Sequence, residues 1–242
     1  GIQGNPIYYY GDFAVDEVSG TSYLVEGYNV NGGRVLKINT SGAQIGMTGT
    51  SKMREMWRAE YNCRLNKVVI AGGGNSSGGH LMGTILDPNM TLTPINVLAT
   101  SEEGHDMCLL TVDNNTNFCY MVPAECTYPL HSPNHNNVLI KCPIPNLLPL
   151  AFYLPSGHKF GELASMQYVD IFTSQANGMN GMAVSPNYLY TYDSDTLKRW
   201  DKNTGALISK IDVFPSPPSY IGAYLQVSWG GIAVDECDNI YV

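Results

Sequence analysis

Charge is scarce in this chain, and positive charge most of all. Charged residues make up 14% of its 242 residues, 13 Lys and Arg stand against 21 Asp and Glu, and the formal net charge is −8. A protein that grips nucleic acid needs a basic stripe to displace counterions, so a nucleic-acid partner is excluded as an expectation. The same balance argues against electrostatic docking on an anionic membrane. Long apolar runs are also missing. A membrane-spanning helix needs about 18 consecutive apolar residues, and the most apolar stretch, 143–154, is broken by Pro145, Asn146 and Pro149. No membrane insertion is expected.

Helical periodicity is absent as well. No segment carries a convincing apolar stripe at a spacing of 3.6 residues, and 159–168 (KFGELASMQY) is the one place where a turn of helix is expected. Recognisable catalytic signatures are missing too. There is no G-x-S-x-G elbow, no H-E-x-x-H, and the five His are scattered. The Gly-rich stretch 72–79 lacks the order of a phosphate loop and reads as a link between strands.

What the chain has is turns, tyrosines and a repeat. Apolar residues reach 44%, enough for a core, with 25 Gly and 16 Tyr. Gly tolerates positive φ and Tyr suits a half-buried pleated surface, so the mixture fits many short strands joined by tight turns. A short phrase recurs: Phe13-Ala14-Val15-Asp16, Met182-Ala183-Val184-Ser185 and Ile232-Ala233-Val234-Asp235. Each copy leads through a turn to a Tyr-containing strand, at Tyr23, Tyr188 and Tyr241. A second echo, Leu36-Lys37-Ile38-Asn39 and Lys198-Arg199-Trp200-Asp201, ends in turns with Gly42 and Gly205.

Candidate repeats start near residues 12, 56, 106, 180 and 230, with spacings of 44, 50, 74 and 50. Within each, the pattern is strand, turn, strand, loop, strand, turn, strand. Four-stranded antiparallel units of 40–50 residues are the signature of β-propeller blades. The expected fold is therefore all-β, one propeller domain or part of one over 1–242, with about five to six blades, the last cut after its second strand unless Ile7-Tyr8-Tyr9-Tyr10 supplies a strand that completes it. The long spacing is assigned to a Pro- and Asn-rich insert near 126–150, or to a degenerate blade near 168–172. The chain starts at Gly1 and stops within a strand at Val242, and it is read as a piece of a larger polypeptide.

Six Cys in a loop-rich chain fit an oxidising compartment. Cys108 and Cys119 flank a predicted hairpin turn and are a candidate cross-strand pair. Cys126 and Cys142 could pin the insert, leaving Cys63 and Cys237 as a third pair. Cys126, His131, His135 and Cys142 are also the weak candidate for a zinc site, in a spacing that no standard finger uses. Asp16, Asp113, Asp193, Asp195, Asp235 and Asp238 fall at strand ends or turns. They leave Ca²⁺ open as a ligand, against the simpler account that such residues cap their own turns. Glu103, His105 and Asp106 precede a first strand, where a propeller funnel would receive a ligand. Tyr220 and Tyr224 belong to a set of aromatics suited to stacking on sugars or contacting proteins. Trp57 and Trp200 occupy strand positions and are expected in the core.

The combination G-[IM]-A-V-[DS], a Tyr strand, then K-x-[WI]-[DN]-x-x-x-G resembles propeller repeats in very large secreted proteins of gliding Bacteroidota. The likeness is closest over 180–242, looser over 12–45 and weak between. It implies a secreted or cell-surface location and a role in adhesion. The function expected is a non-catalytic binding or structural module that holds polysaccharide or a protein partner, without a cofactor. Two alternatives stand beside it. One is a carbohydrate-active or lactonase-like enzyme with a funnel site built around Asp12, His105 and Asp106. The other is a subunit of an extracellular fibre or layer, self-assembled by strand addition.

Overall fold

The structure is a computed structural model that describes residues 10–27, 29, 31–50, 53–73, 83–95, 107–123, 139–144, 151–153, 159–160, 179–193, 196–212, 232–235 and 237–241. Among these residues all regular structure is β. The first sheet holds β1 (Tyr10–Asp16), β2 (Thr21–Glu26), β3 (Gly33–Ile38) and β4 (Gln44–Thr50). The second holds β5 (Glu55–Asn62), β6 (Lys67–Gly73), β7 (Gly83–Leu86) and β8 (Leu92–Ile95). The third has β9 (Met107–Asp113), β10 (Phe118–Pro123), β11 (Leu139–Pro143), β12 (Ala151–Tyr153) and β13 (Lys159–Phe160). The fourth has β14 (Met179–Val184), β15 (Tyr188–Asp193), β16 (Thr196–Asp201) and β17 (Leu207–Asp212). A last pair is β18 (Ala233–Val234) with β19 (Ile240–Tyr241).

Every sheet is an antiparallel meander whose strands pair in sequence order. Sheets meet their neighbours through their first strands: β1 lies beside β5, β5 beside β9, β9 beside β14 and β14 beside β18. Gly11 shows how close that approach is. A Cβ there would collide with the Met56 carbonyl oxygen of β5, so only glycine fits.

The turn after each first strand is built the same way. An oxygen-bearing side chain ends the strand and accepts backbone N–H bonds from the turn. Asp16 Oδ1 accepts from Val18 (3.0 Å), Asn62 Oδ1 from Leu65 (2.7 Å) and Asp113 Oδ1 from Asn115 (3.0 Å). Ser185 Oγ accepts from Tyr188 (3.0 Å), and Asp235 Oδ1 from Cys237 and Asn239 (both 2.9 Å). These are Asx and Ser turns, which explains the recurring Asp or Ser of the repeat phrase. The left-handed turn residue that follows is Gly20, Asn66 or Asp238, at φ 70°, 52° and 61°.

The core between the first two sheets follows the two-residue alternation of strands. Ala14, Tyr23, Val25 and Val35 from one sheet meet Met53, Met56, Ala59, Val68, Ile70 and Leu86 from the other. Removing these side chains from water contributes about 1.5–3 kcal/mol for each large one. The opposite face of the first sheet leaves Phe13, Ile45 and Met47 exposed. Beyond the core, Glu26 is fully buried at the far end of β2, where Arg34 grips it through two bonds of 2.8 and 2.7 Å and Asn29 adds a third of 2.9 Å.

Two sequence expectations change here. Lys159 and Phe160, assigned to a helical turn, form strand β13, because a two-residue edge strand needs only backbone pairing with β12. The interval 126–150, read as an insert, contains β11, which pairs with β10 as the third strand of its sheet. The extra length therefore lies partly in a long connection inside one sheet. The segment 168–172 lies outside the described residues.

Candidate functional site

The row of adjoining first strands carries the densest polar chemistry. Asp12 on β1 accepts the Phe13 N–H at 2.9 Å through Oδ1 and the Ala59 N–H of β5 at 3.1 Å through Oδ2. Arg58 Nη1 lies 3.8 Å from the same Oδ2. One sheet further on, Glu60 of β5 accepts the Val112 N–H of β9 at 2.6 Å. Each carboxylate thus ties its strand to the first strand of the following sheet.

Glu60 is the perturbed group. Burial pushes its carboxyl up to about 8, Asp12 adds to the rise, and the Val112 N–H, Arg58 and Thr111 oppose it. It is therefore largely protonated at neutral pH, since a buried charge with few partners is costly. Counting back two residues from the turn, Glu60 occupies the position held by Ala14 and Ala183 in other sheets. A charged residue where the repeat places alanine was the signal available in the sequence, and it was missed.

The second polar centre is the seam between the third and fourth sheets. Lys202, from the turn after β16, is buried and donates to Asp113 Oδ2 at 2.7 Å and to the Ser185 carbonyl at 3.0 Å. Its own carbonyl accepts from Lys141 Nζ at 2.8 Å and from the Tyr120 hydroxyl at 3.3 Å. Both charges are almost fully enclosed, so they stand only because they are paired. At the first seam Tyr23 and Tyr61 stack with centroids 6.4 Å apart. Burial, then Asp16 and Tyr23, raise the Tyr61 hydroxyl to about 12.

The sequence candidates divide sharply. Glu103, His105, Asp106, Tyr220, Tyr224, Cys126, His131, His135 and Asp195 lie outside the described residues. Cys63 and Cys237 are exposed. Cys108 and Cys119 do fall on adjacent strands, β9 and β10, but the register sets Cys119 opposite Val112 on one side and opposite Cys142 on the other. Strand register at about 3.4 Å per residue offsets Cys108 from Cys119 by several residues, beyond disulfide reach. Trp200 is buried, with its indole N–H on Thr191 Oγ1 at 2.9 Å, and Trp57 donates to Glu55 at 2.9 Å.

The Asp residues at turns are already engaged, Asp16 and Asp235 within their own turns, Asp113 and Asp238 across seams to a neighbouring sheet. Asp16 is held below the usual carboxylate range first by the Ser19 hydroxyl, Asp235 first by Asn239, and Asp238 first by Ser185. Among the described residues no group of three or more His, Cys, Asp or Glu is placed to hold a metal ion. No helix among them is long and apolar enough to cross a membrane. Compared with protein-family models and with curated proteins, the chain matches none.

Proposed function

We propose that this chain is a non-catalytic propeller module of a larger secreted or cell-surface protein, and that it holds polysaccharide or a protein partner. What carries this is the state of the carboxylates on the first strands. Asp12 and Glu60 are committed to backbone N–H groups of the neighbouring strand, so they serve to fasten sheets and are not presented to a substrate. Sheets in sequence order, each meeting the next by its first strand, support blades around an axis. Glu103, His105, Asp106, Tyr220 and Tyr224 are the residues to test as ligand contacts.

The experiment is retention on a panel of insoluble polysaccharides and a glycan array, with Tyr220→Ala/Tyr224→Ala beside the parent. Retention that drops about tenfold in the variant fits aromatic stacking on sugar. Absence of retention on every glycan sinks the polysaccharide reading. A second reading draws on Glu60, because a carboxyl protonated near neutrality is what a general acid requires. That carbohydrate-active or lactonase-like alternative requires turnover that disappears in Glu60→Gln, and turnover of that kind would displace the binding proposal.

A further inference from the structure

We infer that Cys119 and Cys142 are joined by a disulfide that ties β10 to β11. Their backbones are direct partners on the antiparallel ladder between those strands. The rung is of the kind that exchanges backbone hydrogen bonds. Asn117 accepts the Ile144 N–H at 2.7 Å, so the rung at the mouth of this ladder is bonded. The next, Phe118 with Pro143, lacks an N–H on its proline side and is the unbonded kind. Alternation makes Cys119 with Cys142 a bonded rung again, with Cα atoms about 5.5 Å apart. Disulfides span Cα separations of about 4.4–6.8 Å, and register partners project from the same face of a sheet.

The repeat sets this rung apart. In the second sheet the same rung pairs Val68 with Leu86, and in the fourth it pairs Leu189 with Trp200, all four buried. Their first-strand partners, Tyr61 and Val184, stand one residue before the turn-capping Asn62 or Ser185. Val112, the partner of Cys119, stands one residue before Asp113 in the same way. The third sheet therefore puts two cysteines where its neighbours put a matched apolar pair. Cys119 is fully buried and stands in this structure as a thiol. A cystine is as apolar as the pairs it replaces and leaves no S–H to satisfy in the core. The bond closes the chain from Cys119 to Cys142 at its base. It also takes Cys142 away from Cys126, and from a zinc set with His131 and His135.

The bond forms by thiol–disulfide exchange with an external disulfide oxidant. The thiolate of one cysteine attacks a sulfur of the oxidant, breaks its S–S bond and releases one thiol. The second thiolate attacks the resulting mixed disulfide, forms the Sγ–Sγ bond and releases the other thiol. The pair loses two electrons and two protons, and the oxidant gains both. Cys119 is enclosed in the fold, so the exchange takes place before the sheet closes over it. None of this depends on the binding role proposed above.

The test refolds the full 242-residue chain in reduced and oxidised glutathione, then alkylates it in denaturant without reductant. Cleavage before Asp113 and after Glu125 and Lys141 places Cys108, Cys119, Cys126 and Cys142 on separate peptides. The expected product is peptide 113–125 linked to peptide 142–159. Adding reductant should lower the parent's Tm by about 6–12 °C, the effect of opening a loop of about 24 residues in a chain of this size. Cys119→Val/Cys142→Leu, which copies the rung of the second sheet, should lose that response. A link from Cys142 to Cys126 or from Cys119 to Cys108 would overturn the inference. So would alkylation of both thiols, or an equal response to reductant in parent and double variant. Alkylation of both thiols with stoichiometric zinc released would overturn it in favour of a thiolate metal site. If the double variant fails to fold, the peptide map of the parent decides.

Discussion

Replacing Glu60 by glutamine should make the protein's stability less sensitive to alkali. In the unfolded chain the glutamate loses its proton near its ordinary value of 4.5, whereas in the folded protein it keeps it up to about 8. Between those values the folded state binds more protons, so stability falls as pH rises. The contribution is fully present below about pH 4.5 and lost above about pH 8. At roughly 1.4 kcal/mol per pH unit the interval sets a ceiling of about 5 kcal/mol. Glu60 is not fully enclosed, and water reaching it stabilises the anion, so about half that ceiling, ~2–3 kcal/mol, is expected. Glutamine keeps the acceptor for Val112 and cannot ionise. Urea unfolding of parent and Glu60→Gln at pH 5, 6, 7 and 8.5 should give similar stabilities at pH 5 and a gap in favour of glutamine at pH 8.5. All other titrating groups are shared, so the difference isolates Glu60. Profiles that run parallel over this range would refute the buried, protonated carboxyl.

The seam between the third and fourth sheets gives a second prediction. Lys202→Met should cost about 3–5 kcal/mol by leaving the Asp113 carboxylate buried and alone, and Lys202→Met/Asp113→Asn should recover most of it. Chemical denaturation checks both, and a single-variant loss under about 1 kcal/mol would show that water reaches the pair. Gly11→Ala should lose about 1–3 kcal/mol, because the Met56 carbonyl it meets is backbone and cannot rotate away. Gly42→Ala meets no atom within 4 Å but sits at φ +77°, so its cost should be about 1–2 kcal/mol from the left-handed conformation alone. Thermal melts of the two separate steric from conformational cost.

The strands and turns were legible because their causes are local. Alternating apolar residues, a turn-capping Asp or Ser and a left-handed Gly announce a hairpin without reference to the rest of the chain. Phe13-Ala14-Val15-Asp16 and Ala183-Val184-Ser185 therefore became strands followed by Asx or Ser turns as expected. The helical turn at 159 failed because a two-residue edge strand carries too little pattern to compete with any other assignment. The spacing of 74 is longer than the others because β11 follows its hairpin partner only after a long connection, and sequence spacing alone does not show where a strand rejoins its sheet.

Tertiary structure decided which face of each strand matters. Alternation places Phe13 and Ala14 on opposite faces, but hydrophobicity alone would bury the phenylalanine. In the fold Ala14 is buried and Phe13 is 63% exposed, because β5 approaches β1 on the face that carries Ala14. The same approach turns Glu60 from an ordinary glutamate into a protonated one, and gathers Lys202, Asp113 and Ser185 from turns far apart in the chain. Charge, turn chemistry and the repeat are properties of neighbours in sequence, so the sequence by itself determined them. Burial, register and the pairing of cations with distant carbonyls depend on how sheets meet, and only the packed structure determines that.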